Sequence, residues 1–391
     1  MQDVVIVGAG PAGAVAAAVL ARAGARVRLV DRATFPRDKL CGDTVNPGTL
    51  TCLQRLGLHG DLDVRGLRID GMLVTGEGGV AIDGRYPRGQ SGRAILRREL
   101  DAMLLQQAIA AGCEVDTGIA VRRAMVDDRG GSPSVTGVMV GARGSERAIP
   151  ARVTIAADGR HSTLAFGLGL ARHPAKPRRW AIGAYYENLM PNGVRHVSDP
   201  VVGEMHVRRN CYIGIAPVPG GLTNVCLVRP SSKGDRELAD PAALLSRELT
   251  RDAMLGDRLA CARLVAPPVV LGPLAVDIEN AAIDGLLLAG DAAGFIDPMT
   301  GDGLRFAVHG AELAALAALQ ALEHGWAGVH TRLAADRRRA FASKWRFNRA
   351  LRTLVSSPSA VEAAALGARL APGLLRAVIA RAGDCDLLAS P

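Results

Sequence analysis

Residues 3–13 read Asp-Val-Val-Ile-Val-Gly-Ala-Gly-Pro-Ala-Gly, and this stretch decides the fold. Asp3 to Val7 is a short β-branched run suited to a buried parallel strand. Pro11 to Ala23 is Ala-rich and helical in pattern, ended by Gly24, and Val27 to Val30 is a second buried strand. Between the first strand and the helix, Gly8-Ala9-Gly10-Pro11-Ala12-Gly13 matches G-x-G-x-x-G. Gly8 permits the tight turn, Gly10 lets the backbone approach a pyrophosphate, and Gly13 allows close helix–strand packing. The helix N-terminus supplies free N–H groups and the positive end of its dipole to phosphates. Asp31 follows 18 residues after Gly13, where a carboxylate can accept hydrogen bonds from adenosine ribose hydroxyls. On a hydropathy window residues 4–30 resemble a membrane anchor. Gly8, Gly10, Pro11 and Gly13 interrupt the run, however, and no basic n-region or cleavage site accompanies it.

A second element separates FAD from NAD. Leu286 to Ala289 is a buried strand that delivers Asp291 to a strand end, where its carboxylate can bind ribityl hydroxyls. Asp297-Pro-Met-Thr-Gly-Asp-Gly303 then opens a long helix from Gly303 to Leu322. Gly301 and Gly303 would let bare amides approach a flavin pyrimidine ring, stabilising the negative charge of the reduced ring together with the helix dipole. Two further signals are the strand and acidic turn Thr154–Ser162, which contains Asp158, and Leu96-Arg-Arg-Glu-Leu-Asp101. There Arg97, at a helix start, suits the flavin phosphates or ribityl chain.

Working outward, Arg98 to Ala111 reads as an amphipathic helix, and Val135–Val140 and Ala148–Ala156 as strands about a Gly/Ser-rich turn. Residues 180–228 change to short alternating runs, the pattern of an antiparallel sheet. The expected fold class is α/β. It comprises a discontinuous Rossmann-like FAD-binding domain (1–70, 95–170, 272–325), an antiparallel β-sheet substrate domain (71–94, 171–271) and a helical C-terminal region (326–391). The 391 residues suffice for a core without staples. With 49% apolar and 3% aromatic residues, Ala, Val and Leu must fill it. Lys and Arg (47) exceed Asp and Glu (38), but the basic residues are scattered and few aromatics exist to stack on bases, which argues against nucleic acid. Seven cysteines without CxxC spacing argue against a disulfide framework, a zinc site and an oxidising compartment.

The four motifs in this order resemble the geranylgeranyl reductase family, within the wider class of FAD monooxygenases similar to p-hydroxybenzoate hydroxylase. Phe35-Pro-Arg-Asp-Lys-Leu-Cys-Gly-Asp43 strengthens the resemblance, since that family carries a similar Pro-Arg-x-Lys-x-Cys-Gly segment. The resemblance spans roughly residues 1–325. It implies FAD held by Gly8, Gly10, Pro11, Ala12, Gly13, Asp31, Arg32, Arg97, Val121, Asp158, Asp291, Pro298, Gly301, Asp302, Gly303 and Leu304. It also implies NAD(P)H as a transient reductant that needs no domain of its own. The family's Tyr-x-Trp-x-Phe-Pro cavity segment corresponds to Tyr212-Ile-Gly-Ile-Ala-Pro217, so Tyr212, Gly214, Ala216 and Pro217 are the expected pocket residues. Gly214 and Ala216 stand where the family has Trp and Phe, which enlarges the cavity. The Trp-x-Trp-x-Ile-Pro segment of the related flavin halogenases is missing. Cys41 and Tyr212 are the candidate catalytic residues: Cys41 as an acid or polarity-tuning group or a space-filling thiol, Tyr212 as a proton donor or an ordinary strand Tyr. His161, His206, His309 and His330 read as loop or structural residues, and no general base stands out.

Three functions follow as expectations. The first is an FAD monooxygenase that hydroxylates a hydrophobic aromatic or polyketide-like metabolite of secondary metabolism, using NAD(P)H and O2. The alternative is a flavin reductase of C=C bonds in a prenyl or polyene lipid, and the remote one a non-catalytic FAD-binding protein. The expected partner is a hydrophobic small molecule, bound by a monomer or homodimer in the cytoplasm. The Arg-rich stretch from Arg332 to Arg381 reads as a helical cover on the substrate domain with its Arg face in solvent. Its other reading is a helix lying on an anionic membrane surface. Arg369, Pro372 and Arg376 interrupt its apolar part, so it does not span a bilayer.

Overall fold

The computed structural model describes residues 1–77, 81–87, 89–129, 131–175, 178–189, 200–232, 234–259, 261–279, 282–355, 360, 363 and 372–385. The first half of the chain runs β1 (Gln2–Val7), α1 (Pro11–Arg22), β2 (Val27–Val30), β3 (Thr44–Val45), α2 (Pro47–Arg55), α3 (Leu62–Arg65), β4 (Leu67–Ile69), β5 (Gly71–Thr75), β6 (Ala81–Arg85), β7 (Gly92–Ala94), α4 (Arg97–Ala110), β8 (Glu114–Asp116), β9 (Val121–Asp127), β10 (Ser134–Ala142) and β11 (Ser145–Ala156). The second half adds α5 (Thr163–Gly167), β12 (Ala171–Arg172), β13 (Arg179–Glu187), β14 (Val202–Arg208), β15 (Cys211–Val218), β16 (Leu222–Pro230), α6 (Pro241–Arg251), β17 (Arg263–Leu264), β18 (Val269–Leu271), β19 (Asp277–Ile278), β20 (Leu286–Leu288), α7 (Gly303–His324), α8 (Val329–Val355) and α9 (Pro372–Ala382).

The β-branched run at the N-terminus becomes the middle of a parallel array in the order β8-β2-β1-β11-β20. Strand alternation divides its side chains between two cores. Val4 and Ile6 pack among α1, α4 and α7, while Val5 and Val7 pack against β10 and α5. Ala14, Ala16, Ala17 and Ala18 of α1 are fully buried, so small side chains let the neighbouring helices approach closely. β11 serves two partners. Its first half pairs antiparallel with β10 and its second half parallel with β1.

The second sheet is ordered β17-β13-β16-β15-β14-β5-β6, with β18 also on β13. It is antiparallel except where β5, from the 71–94 segment, joins β14 in parallel. Its outer face carries Ile182, Ile213, Ile215, Val225 and Leu227 against Leu244, Leu245 and Leu249 of α6. Its inner face, with Ala181, Tyr212 and Val228, meets Met299 of the first unit.

The C-terminal helices differ from expectation. α8 reaches the substrate sheet only near its end, where Leu351 packs against the inner-face cluster of Ala181, Tyr212 and Val228. It packs along α7, with the Phe341 ring 5.1 Å from Phe306 and 5.5 Å from His309. Not all of its arginines face solvent, because Arg337 donates to the Leu288 and Ala293 carbonyls at 3.3 and 3.0 Å, where β20 leaves orphan acceptors. α9 does reach the second sheet, where Ile379 occupies the space above Gly84 of β6. Arg369 and the side chains of Pro372 and Arg376 lie outside the described residues. Among the described residues no helix is long and apolar enough to cross a membrane.

Candidate flavin site

The glycine turn has the geometry its sequence demands. Gly8 has φ +98°, and a Cβ there would lie 2.5 Å from the Ala157 carbonyl. A Cβ on Gly13 would lie 1.7 Å from the Gly8 carbonyl, so helix and strand meet backbone to backbone. Gly10 is different, since a Cβ there would meet only the tip of Arg37, at 3.3 Å. Its space is kept clear for something other than protein. Gly10 caps α1 without any side-chain hydrogen bond, as Asp302 does for α7, so both helix N-termini keep their first N–H groups free of side-chain caps. Gly301, with φ +67°, has no atom within 4 Å of a would-be Cβ, and Gly303 meets only Phe295 at 3.8 Å.

The charges around this cradle also fit an anionic dinucleotide. Burial and the neighbouring Arg97 push the Lys39 ammonium down, and burial lowers Arg160. Asp158 Oδ1 and Arg160 Nε are buried without a hydrogen-bond partner among the described residues. The Asp291 carboxylate, at the end of β20, takes no hydrogen bond from the described residues, although the charges of Lys39 and Arg160 face it. Cations crowded against one another and an unspent carboxylate are a donor and acceptor set suited to the phosphates and hydroxyls of FAD.

Asp31 is 8% exposed and already accepts from Ala9 N at 2.7 Å and Ala33 N at 2.8 Å, so its carboxylate braces the glycine turn. Arg32 beside it is exposed. The Gly118–Val121 segment runs alongside, with Ile119 N on the Asp31 carbonyl. Asp158 Oδ2 accepts from Thr163 N at 2.7 Å and thereby anchors α5. Arg97 is buried and held by Asp101 at 2.9 and 3.0 Å, with the Cys41 thiol in hydrogen-bonding reach of its guanidinium. Its side chain is therefore committed before any phosphate arrives. Pro298 lies in the turn that precedes Gly301, and Leu304 is buried in the first turn of α7.

Asp302 has its side chain engaged within the protein. Its carboxylate turns away from the cradle and bonds Lys344 Nζ at 3.0 Å, Asn348 Nδ2 at 3.0 Å and Asn46 Nδ2 at 3.3 Å. Lys344 also donates to the Arg381 and Ala382 carbonyls at 2.6 and 2.8 Å. Asp302 thus ties the glycine loop to α8 and α9, because a carboxylate at 2% exposure must find protein donors.

The inner face of the second sheet closes the site. Asn224 Nδ2 donates to the Cys41 carbonyl at 2.6 Å, and the Leu40 side chain fills the space above Gly183. Two cross-strand rows face the cradle, Met205–Gly214–Cys226–Gly183 and Ala216–Asn224–Tyr185. A Cβ on Gly214 would meet only the Cys226 carbonyl, at 3.9 Å, so the space anticipated there is open. Pro217 cannot line the same wall. With unbroken register along β15, it shares the outer face of Ile213 and Ile215. Tyr212 does face inward, but its hydroxyl donates to Asp297 Oδ1 at 2.7 Å, and Arg179 lies 3.4 Å from the other oxygen. A phenol spent on a cation-paired carboxylate positions the flavin-loop turn.

The residues missed from sequence are Asp43, Tyr185 and Asn224. Asp43 is 1% exposed, with φ +50°. Its Oδ2 accepts from Tyr185 Oη at 2.6 Å and Asn224 Nδ2 at 2.5 Å, and its Oδ1 from Arg97 N at 3.1 Å. Burial pushes the carboxyl up to about 6, against the Tyr185 and Asn224 hydrogen bonds and the Arg97 charge. Asp43 ends the Pro-Arg-x-Lys-x-Cys-Gly segment, which was a usable signal. Nothing local marks Tyr185 or Asn224, which lie more than 140 residues away along the chain.

Comparison with known proteins agrees with this geometry. The family described as "FAD binding domain" matches residues 1–208. The menaquinone reductase of Mycolicibacterium smegmatis is 33% identical over 80% of this chain and 75% of its own length. Digeranylgeranylglycerophospholipid reductase 2 of Methanopyrus kandleri is 30% identical over 82% and 78% respectively. Conditioned medium factor receptor 1 of Dictyostelium discoideum is 31% identical over 82% of this chain, which spans only 64% of that relative's length. Among solved structures, the flavin-dependent brominase Bmp2 superposes with a TM-score of 0.84 at 21% identity, covering 98% of this chain and 94% of its own, a likeness of fold. The chain is an FAD-dependent oxidoreductase and belongs to the geranylgeranyl reductase family.

Proposed function

We propose that this chain is an FAD-dependent reductase of carbon–carbon double bonds in a hydrophobic prenyl- or polyene-type chain. The observation that carries the reading is the make-up of the inner sheet face. The Met205–Gly214–Cys226 row has no charged side chain and keeps open space at Gly214, and the adjoining row carries Tyr185, a half-buried residue packed beside Ile69, Ala94 and Val218. Such a wall suits an apolar chain and includes a hydroxyl able to exchange a proton. The reductase names of two relatives at 30–33% identity support it.

Bound FAD would supply the hydride. Gly8, Gly10 and Gly13 would admit its pyrophosphate to the α1 N-terminus, Asp291 would hold hydroxyls of its ribityl chain, and the Gly301–Gly303 amides would face its pyrimidine edge. Asp31, Arg97 and Asp158 would keep these elements in place through the bonds described above. Reduced nicotinamide is the electron donor in this reading, and the substrate is a hydrophobic small molecule bound by a monomer or homodimer of a cytoplasmic or membrane-peripheral protein. The test is anaerobic. Protein loaded with FAD and reduced by dithionite should reoxidise when a geranylgeranyl-chain lipid is added, with a product heavier by two hydrogens per double bond. Reduced protein that such lipids leave unchanged would defeat the proposal.

A second reading, hydroxylation of an aromatic or polyketide-like metabolite, is favoured by the space at Gly214. Under it the Asp43 carboxylate would draw the proton of a bound phenol through the Tyr185 hydroxyl. Incorporation of oxygen from labelled O2 would establish it, and anaerobic turnover would exclude it.

A further inference from the structure

We propose that Tyr185, Asp43 and Asn224 form a proton-delivery site on the inner sheet face, in which the Tyr185 hydroxyl donates and Asp43 recharges it. This inference rests on the reductase reading above.

Three observations carry it. First, the carboxylate accepts no side-chain hydrogen bond from a cation. The groups facing it are the Tyr185 hydroxyl, the Asn224 amide, the Arg97 backbone N–H and, at longer range, the Arg97 guanidinium and the Cys226 thiol, with Cys41 two residues away. The Arg97 guanidinium is itself committed to Asp101, which also takes Arg37 at 3.2 Å. Neutral donors leave a buried carboxyl free to hold a proton, and burial accordingly raises it to about 6.

Second, the three residues differ in access. Asp43 and Asn224 are each 1% exposed, whereas Tyr185 is half-buried on the row beside Gly214. Tyr185 is therefore the outlet and Asp43 the store. Third, Asn224 bonds both Oδ2 of Asp43 and the Cys41 carbonyl, which fixes the acid between the sheet and the Leu40–Asp43 strap.

The step balances as follows. One substrate carbon gains the hydride and its electron pair from the reduced cofactor, which loses two electrons. The Tyr185 O–H bond breaks and its proton goes to the other carbon, while the Asp43 proton passes to the Tyr185 oxygen. Asp43 is left as a carboxylate and regains a proton from solvent, and the cofactor is restored by a hydride from reduced nicotinamide or by two electrons from dithionite with a proton from solvent.

The test has a readout that does not need turnover. Infrared titration of FAD-loaded protein should show a carboxylic-acid C=O band that disappears with a midpoint near 6, is missing in Asp43→Asn and is shifted in frequency in Tyr185→Phe. In single turnovers of dithionite-reduced protein with a geranylgeranyl-chain lipid, Tyr185→Phe should slow reoxidation by about a hundredfold at unchanged flavin content. The wild-type rate should fall as pH rises above that midpoint, and the fall should vanish in Asp43→Asn. No titrating band, or a Tyr185→Phe rate and pH profile equal to wild type, would overturn the proposal. A wild type that leaves the lipid untouched yet shows the Asp43 band shifted by Tyr185→Phe would sink the reductase reading while upholding the Tyr185–Asp43 pair as a proton-exchange site.

Discussion

The two faces of the second sheet each bury a carboxylate, and they treat it in opposite ways. On the outer face, Glu204 bonds Arg258 at 2.7 and 2.9 Å and His206 at 3.0 Å, while His206 also meets Thr75 Oγ1 at 2.8 Å. Nearby, Arg208 closes on Asp252 at 2.5 and 3.1 Å. Burial would raise Glu204, but the His206 and Arg258 hydrogen bonds override it and hold the carboxyl at about 2. On the inner face, Asp43 is as deeply buried, meets neutral side-chain donors only, and rises to about 6. The difference is one of partner charge. A carboxylate locked to arginine is fixed as an ion and serves the fold, whereas one locked to a phenol and an amide can change protonation near neutral pH.

Breaking the outer cluster should have the largest effect. Arg258→Ala leaves Glu204 buried without its bidentate cation and should cost about 3–5 kcal/mol, measurable as a loss of denaturation midpoint. Flavin bound per folded molecule should stay unchanged, because this face never meets the cradle. A flavin loss that outruns the loss of folded protein would merge the two clusters and defeat the contrast.

The inner acid should act on pH dependence instead. Its folded value of about 6 lies above the unfolded value, so the native state binds the proton more tightly. The favourable contribution is complete below pH about 4 and is lost as pH rises through about 6, a swing on the order of 3 kcal/mol. Asp43→Asn should remove that slope from the stability–pH curve. Glu204 has the opposite sign: its contribution is present above its unfolded value and lost as pH falls toward 2. Wild-type and Asp43→Asn curves that run parallel from pH 4 to 7 would refute the contrast.

Asp291 sharpens the comparison as a third case, a carboxylate with neither cation nor neutral donor bonded to it. Asp291→Ala should leave fold stability nearly unchanged and weaken FAD binding by about 1–3 kcal/mol, read by flavin titration. Undiminished flavin affinity would remove Asp291 from the cradle.

Much of the flavin cradle was legible because its constraints are local. Gly8 and Gly13 are dictated by a turn with positive φ and by a helix packed onto the strand before it, and both requirements fall within six residues. The 22-residue α7 follows from an Ala/Leu-rich pattern behind Gly303. What escaped were residues whose meaning depends on distant partners. Asp302 sits in a glycine loop that reads as flavin-facing, yet Lys344 and Asn348 take its carboxylate from α8. Pro217 belongs to a recognisable segment, yet strand alternation turns it outward. Tyr212 has the right chemistry for a donor, and Asp297 consumes it.

The amino-acid sequence by itself determined the dinucleotide unit, its second flavin loop and the family. Backbone conformation, glycine clearance and the period of buried residues are short-range properties written into consecutive positions. Tertiary structure alone decided which acids stay ionised and which titrate near neutral pH. That choice depends on the charge of whatever the fold packs within hydrogen-bonding distance: Arg258, 54 residues from Glu204, on one face, and Tyr185 and Asn224, 142 and 181 residues from Asp43, on the other.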